Sequence, residues 1–80
     1  MYFVYILISK KDSRRYYIGF TDNLDERINK HNTGQTYYAG RYAPWELSSY
    51  IFFQKKERAL EFERYLKSGS GFAFLKKHLL

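Results

Sequence analysis

RRYYIGFTDNLDERINKH, residues 14–31, begins as a strand, breaks at a glycine and resumes as a helix. The TDN breaker is a helix-start signal. Beyond it, Leu24 and Ile28 set an apolar face. Arg27 and His31 fall on the same stripe, at the i, i+3, i+4, i+7 spacing of a buried surface. An arginine and a histidine therefore stand where core residues are expected.

Working outward, the run Tyr2 to Ile8 is dense in β-branched and aromatic residues and predicts a buried strand. SKKDSRR is a polar turn, and Tyr16 to Phe20 is a second strand, so the two form an antiparallel hairpin. A helix over Leu24 to His31 follows, closed by NTG, with Gly34 suited to a left-handed cap. Gln35 to Trp45 reads as irregular. Glu46 to Phe53 predicts a third strand, and Lys55 to Lys67 a helix with Ala59, Phe62 and Leu66 on one face. SGSG breaks that helix, and Phe72 to Leu80 predicts a short amphipathic one. The expected fold is α/β in the broad sense and α+β in detail: β-β-α-β-α-α, a three-stranded antiparallel sheet covered by helices in two layers. The whole chain, residues 1–80, is expected to form one domain.

A chain of 80 residues has little surface to bury and so a thin stability margin. It has no cysteine, which excludes disulfides and thiolate metal sites. Nine Tyr, seven Phe and one Trp must supply much of the core. The net charge of +6 favours a polyanionic partner, nucleic acid before a membrane surface. No run of about 20 apolar residues exists, so no membrane-spanning helix is expected. The start MYFVYILISKK is apolar and then basic, the reverse of a secretory signal, which points to the cytoplasm.

The second long helix repeats the anomaly of the first. Ala59, Phe62, Glu63 and Leu66 share one face, and Glu63 puts a carboxylate on it. A structural ion pair between the two helices is one reading. Buried pairs gain little over apolar replacements, and local rules tend to be broken at functional sites, so a functional cleft is the stronger one. On the hairpin, Phe3, Tyr5 and Leu7 share a face, as do Tyr17 and Gly19. Gly19 marks either a close approach or a bulge. The residue set lacks the paired carboxylates of a glycosidase, a serine nucleophile elbow and a phosphate-binding glycine loop. It suits phosphodiester cleavage. A hard divalent cation needs oxygen ligands and keeps several waters, so Glu63 alone is a candidate anchor. Arg27 is a candidate for neutralising phosphate charge, and a tyrosine or His31 for handling the attacking water.

FVYIL at Phe3 to Leu7 paired with YYIG at Tyr16 to Gly19 resembles the two half-motifs of the GIY-YIG nuclease superfamily. TDNLDERINKHNTG resembles its arginine helix and ALEFERYLKS its glutamate helix. The resemblance spans nearly the whole chain and is closest to the short, single-domain bacterial members. It implies Tyr5 and Tyr17 as the motif tyrosines, Gly19 as the motif glycine, Arg27 as the phosphate-facing arginine and Glu63 as the metal-binding glutamate, with Mg²⁺ or Mn²⁺ as cofactor. His31 matches a position where a polar or basic residue is common. Phe3 stands where the first motif glycine is usual, and Ser70 and Phe72 stand near positions that are basic in similar short proteins. A further family tyrosine or histidine has three candidates here, Tyr37, Tyr38 and Tyr42.

Two functions from different classes are therefore expected. One is a metal-dependent endonuclease acting on DNA, branched or damaged, in repair or recombination. The other is a nucleic-acid-binding or protein-interaction module that kept the scaffold without useful cleavage, since no auxiliary DNA-binding domain accompanies it; a protein partner supplying further DNA binding suits either. Lys30, Arg41 and Lys67 are expected at the cleft rim as phosphate contacts.

Overall fold

The computed structural model of the chain describes residues 1–33 and 40–80 in full and residues 37–39 by their backbone. β1 (Tyr2–Ser9), β2 (Tyr16–Thr21) and β3 (Trp45–Phe53) form one antiparallel sheet in the order β2-β1-β3. Between β2 and β3 come α1 (Leu24–Asn32) and α2 (Tyr37–Tyr42). After β3 come α3 (Lys56–Leu66), α4 (Gly69–Phe74) and a π-helical turn over Leu75–Leu79.

The central strand is apolar on both faces, and this sets the architecture. Val4, Tyr5, Ile6 and Leu7 are all fully buried, as a strand must be when both faces of its sheet are covered. Val4 and Ile6 pack with Ile18, Ala59, Leu66 and Leu75 on the α3 side. Tyr5 and Leu7 pack with Trp45, Tyr17, Leu24 and Ile28 on the α1 side. The arrangement is thus three layers rather than two, because a single helical layer would leave one face of β1 in water.

Three local readings change with the structure. The segment read as irregular contains α2, whose six residues are too few to show a helical period. The SGSG break is itself the start of α4: Ser68 caps it by accepting from the Gly71 N–H at 3.2 Å. β3 starts at Trp45, one residue earlier than expected. Gly34 lies outside the described residues.

Gly71 is a site of close approach. A Cβ there would sit 1.6 Å from the backbone oxygen of Tyr65, so only glycine lets α4 fold back against the end of α3. Gly71→Ala is expected to destabilise the chain by about 3 kcal/mol, the upper end of overpacking costs, because backbone rather than a flexible side chain must yield. The midpoint of urea unfolding measures it.

Candidate active site

α1 begins with a reciprocal cap. The Asn23 side chain accepts from the Glu26 N–H at 3.2 Å and donates to the Glu26 carboxylate at 3.3 Å. This fixes the phase of the helix, so that His31 is buried while Arg27 and Ile28 are half-buried. At the other end, the Asn32 side chain bonds both the N–H and the carbonyl of Trp45, tying α1 to the start of β3. Asn32 and Trp45 position the site, and nothing in the spacing of the sequence singles them out.

Tyr5 and Gly19 are register partners. A Cβ on Gly19 would come within 2.3 Å of the Tyr5 ring and hydroxyl. The ring of Tyr5 therefore lies across Gly19, and the glycine marks a close approach, with the β1–β2 register unbroken through it. A hydrogen bond of 3.0 Å joins Tyr5 Oη to His31 Nε2. The ring of Tyr17 lies 4.4 Å from that of His31 and 6.2 Å from that of Tyr5. Tyr5, Tyr17 and His31 thus form one aromatic cluster under α1.

Arg27 and Glu63 stand on α1 and α3, on opposite faces of the sheet, and Arg27 hydrogen-bonds the Tyr5 hydroxyl. The charges of both are felt at the Tyr5 hydroxyl. Arg27 has no ion-pair partner among the described residues, whereas Glu63 meets Lys67 one turn along α3 at 3.3 Å. The Glu63 side chain keeps 20% of its surface exposed.

The five residues differ in depth: Tyr5 and His31 are buried, while Tyr17, Arg27 and Glu63 are partly exposed. Beside Tyr17 opens a cleft of about 450 Å³, lined by Tyr16, Tyr17, Ile18, Leu66, Lys67 and Phe72. Of the three cations expected at the rim, Lys67 alone lines this cleft. Lys30 pairs with Glu26 at 3.3 Å on the exposed side of α1. Arg41 lines a separate groove with Lys11, Asp12, Arg14 and Tyr42. Exposed lysines and arginines carry no burial phase, so the sequence gives no means of placing them. Of the candidates for a further site tyrosine, Tyr42 lies under the guanidinium groups of Arg15 and Arg41, at 5.0 and 5.5 Å, and the side chains of Tyr37 and Tyr38 lie outside the described residues.

Burial pushes the Tyr5 hydroxyl up to about 12, helped by Tyr17 and opposed by Arg27. Burial, then the charge of Arg27, holds His31 below its ordinary value of 6.5. At neutral pH both groups are uncharged, so His31 is not among the positive charges available to stabilise a phenolate; Arg27 is.

The His31 shift has a consequence for stability. The unfolded chain protonates this histidine near pH 6.5, and the folded chain resists until lower pH. In that window the unfolded state binds more protons, so stability is complete above about pH 6.5 and falls as the pH drops through it. Thermal unfolding followed from about pH 7 to about pH 5.5 is expected to show a steeper loss for the wild type than for His31→Gln.

Among the described residues no group of three or more His, Asp or Glu side chains gathers as a metal site. Glu63 is the carboxylate whose charge acts on the Tyr5 hydroxyl, and it pairs with Lys67 of the cleft wall. That donor set fits a hard dication that draws its other ligands from water and phosphate oxygens. It does not fit a tightly held structural ion.

The model of the GIY-YIG catalytic domain matches residues 1–76. The chain belongs to the GIY-YIG family. A UPF0213 protein of Clostridium perfringens is 42% identical over 69 residues, covering 84% of this chain and 71% of that protein. A structure-specific endonuclease subunit SLX1 homolog of Giardia intestinalis is 39% identical over 59 residues, 69% of this chain but 16% of that protein. The solution NMR structure of a UPF0213 protein from Bacillus halodurans superposes with a TM-score of 0.57 at 35% identity, over 96% of this chain and 84% of that one. The three-stranded antiparallel sheet with its helices is therefore the GIY-YIG fold, and the nuclease family is established. No helix among the described residues is long and apolar enough to cross a membrane.

Proposed function

We propose that this GIY-YIG chain is a divalent-metal-dependent endonuclease that hydrolyses DNA phosphodiesters in the cytoplasm, in repair or recombination. The observation that carries the reading is the convergence on one buried hydroxyl: Tyr5 bonds His31, which packs on the half-buried Tyr17, and the charges of Arg27 and Glu63 both act on Tyr5. Bound at Glu63, Mg²⁺ or Mn²⁺ supplies charge neutralisation at the scissile phosphate. Arg27 donates to a non-bridging phosphate oxygen as charge builds there. The Tyr17 hydroxyl holds the attacking water. A phenol of ordinary pKa near 10 is a weak base at neutral pH, so orientation is its main contribution. Tyr5 and His31 act as positioning residues, fixing the plane of the Tyr17 ring. Lys67 adds a phosphate contact.

The relative named as a structure-specific endonuclease subunit supports branched or flapped DNA as the substrate class. The Lys67 ammonium on Glu63 supports the second reading, a binding module that cleaves nothing, because it competes with a metal for the carboxylate. A panel of duplex, flapped, branched and single-stranded DNA, incubated with Mg²⁺, Mn²⁺ or EDTA, separates the two. Metal-dependent products on any substrate support the nuclease. Binding that weakens with salt, with no product anywhere, supports the module.

A further inference from the structure

Phe72 keeps 43% of its surface exposed, although Gly71 before it and Leu75 after it are buried. It forms one wall of the cleft beside Tyr16, Tyr17 and Lys67. With Tyr16 it also walls a second groove of about 430 Å³, floored by Ile8 and Leu80 and carrying Arg14 and Lys76. The two grooves share these two aromatic walls. Among the described residues no Asp or Glu side chain lines the second groove. Lys76 Nζ stands 5.7 Å from the centre of the Phe72 ring. The backbone that carries the ring is held in place, because Gly71 is packed against the Tyr65 carbonyl and Ser68 caps the turn.

We propose that Phe72, with Tyr16, is a stacking site for an unpaired nucleobase next to the scissile phosphate, with Lys76 and Arg14 holding the phosphates that flank it. The proposal rests on the reading of the cleft as a DNA site and narrows it to a strand that is single-stranded where it leaves the cleft. The chemistry is specific to that ligand. A half-exposed ring in a groove that also carries Lys76 and Arg14 offers a π-face to a base and charge to its backbone. A base inside a duplex hides its faces in the stack, so only an unpaired one can use the ring. An apolar peptide segment would use the floor of the groove but leave both cations unmatched.

The test is fluorescence anisotropy in EDTA, where nothing is cut, with a labelled single-stranded oligothymidylate of about 15 nucleotides and a duplex of equal length. Phe72→Ala is expected to weaken single-strand binding by about 5- to 150-fold, the range for losing one base–aromatic stack. Duplex binding should change by less than about twofold, because phosphate contacts are untouched. Phe72→Trp should retain single-strand affinity, and its indole emission should be quenched as the oligonucleotide is added. Circular dichroism confirms that both variants fold. Equal losses for the two DNA forms, no loss for either, or a wild type that binds neither would overturn the proposal. A wild type that binds single strands through Phe72 but never cleaves would leave the platform standing and remove the nuclease reading. Cleavage that is indifferent to Phe72 would do the reverse.

Discussion

Arg27→Ala is expected to slow DNA cleavage by about 100- to 1,000-fold, the cost of removing one preorganised donor from a charge that develops in the transition state. The expectation comes from where the guanidinium stands. It is half-buried, it has no ion-pair partner among the described residues, and its charge acts on both Tyr5 and His31. An arginine that hydrogen-bonds Tyr5 but has no carboxylate partner among the described residues keeps its charge available for an anionic ligand. Arg27→Lys keeps the charge but loses the planar fork, so it should recover only part of the rate. Arg27→Ala has a second readout. Without the Arg27 charge, the His31 pKa should rise towards its ordinary value, and NMR titration of the ring protons would follow it. Single-turnover rates at saturating DNA separate this loss from weaker binding. A purely structural Arg27 would instead lower the unfolding temperature and leave the rate of the folded fraction intact.

Glu63→Gln should cost about 100-fold or more in cleavage, equivalent to roughly 3 kcal/mol of barrier. The amide keeps the shape of the side chain and removes the charge that holds a dication. It also frees Lys67, now paired with Glu63 at 3.3 Å. DNA binding should therefore hold or strengthen slightly, since the substitution removes a negative charge and releases a positive one at the cleft. Cleavage falling while affinity does not is the signature of a metal anchor. Equal cleavage by both proteins at limiting Mg²⁺ would take that role away from Glu63 and leave Arg27 and Tyr17 to be explained without it.

Much of this site can be read from helical phase. The stripe Leu24, Arg27, Ile28, His31 and the stripe Ala59, Phe62, Glu63, Leu66 both face inward, because a period of 3.6 residues leaves no other face to bury. The choice of Tyr5 and Tyr17 among nine tyrosines came from the family resemblance, not from spacing. Three features were out of reach for physical reasons. The depth of Tyr5 depends on Gly19 yielding room across a strand pair, and that needs the register. The cover on the second face of the sheet depends on α3 and α1 taking opposite sides, which a hydrophobic pattern does not specify. The start of α4 was hidden because Gly69 and Gly71 read as breakers, whereas Gly71 is present for close packing and Ser68 supplies the cap. Lys30 and Arg41 lie away from the cleft, because charge without burial carries no direction in a sequence.

The central claim is that the cleft beside Tyr17 is where the phosphodiester is cut, and removing one hydroxyl at a time tests it most directly. Tyr17→Phe and Tyr65→Phe make the same chemical change at two places. Tyr17 packs on His31 at the cleft, while Tyr65 sits on the outer side of α3, against Phe62 and Phe74. The measurement is the single-turnover rate of DNA cleavage in Mg²⁺ for the wild type and both variants. The account predicts a loss of about 100-fold for Tyr17→Phe, from misplacing the attacking water, and a wild-type rate for Tyr65→Phe. Equal rates for all three proteins, or a larger loss at Tyr65 than at Tyr17, would contradict it.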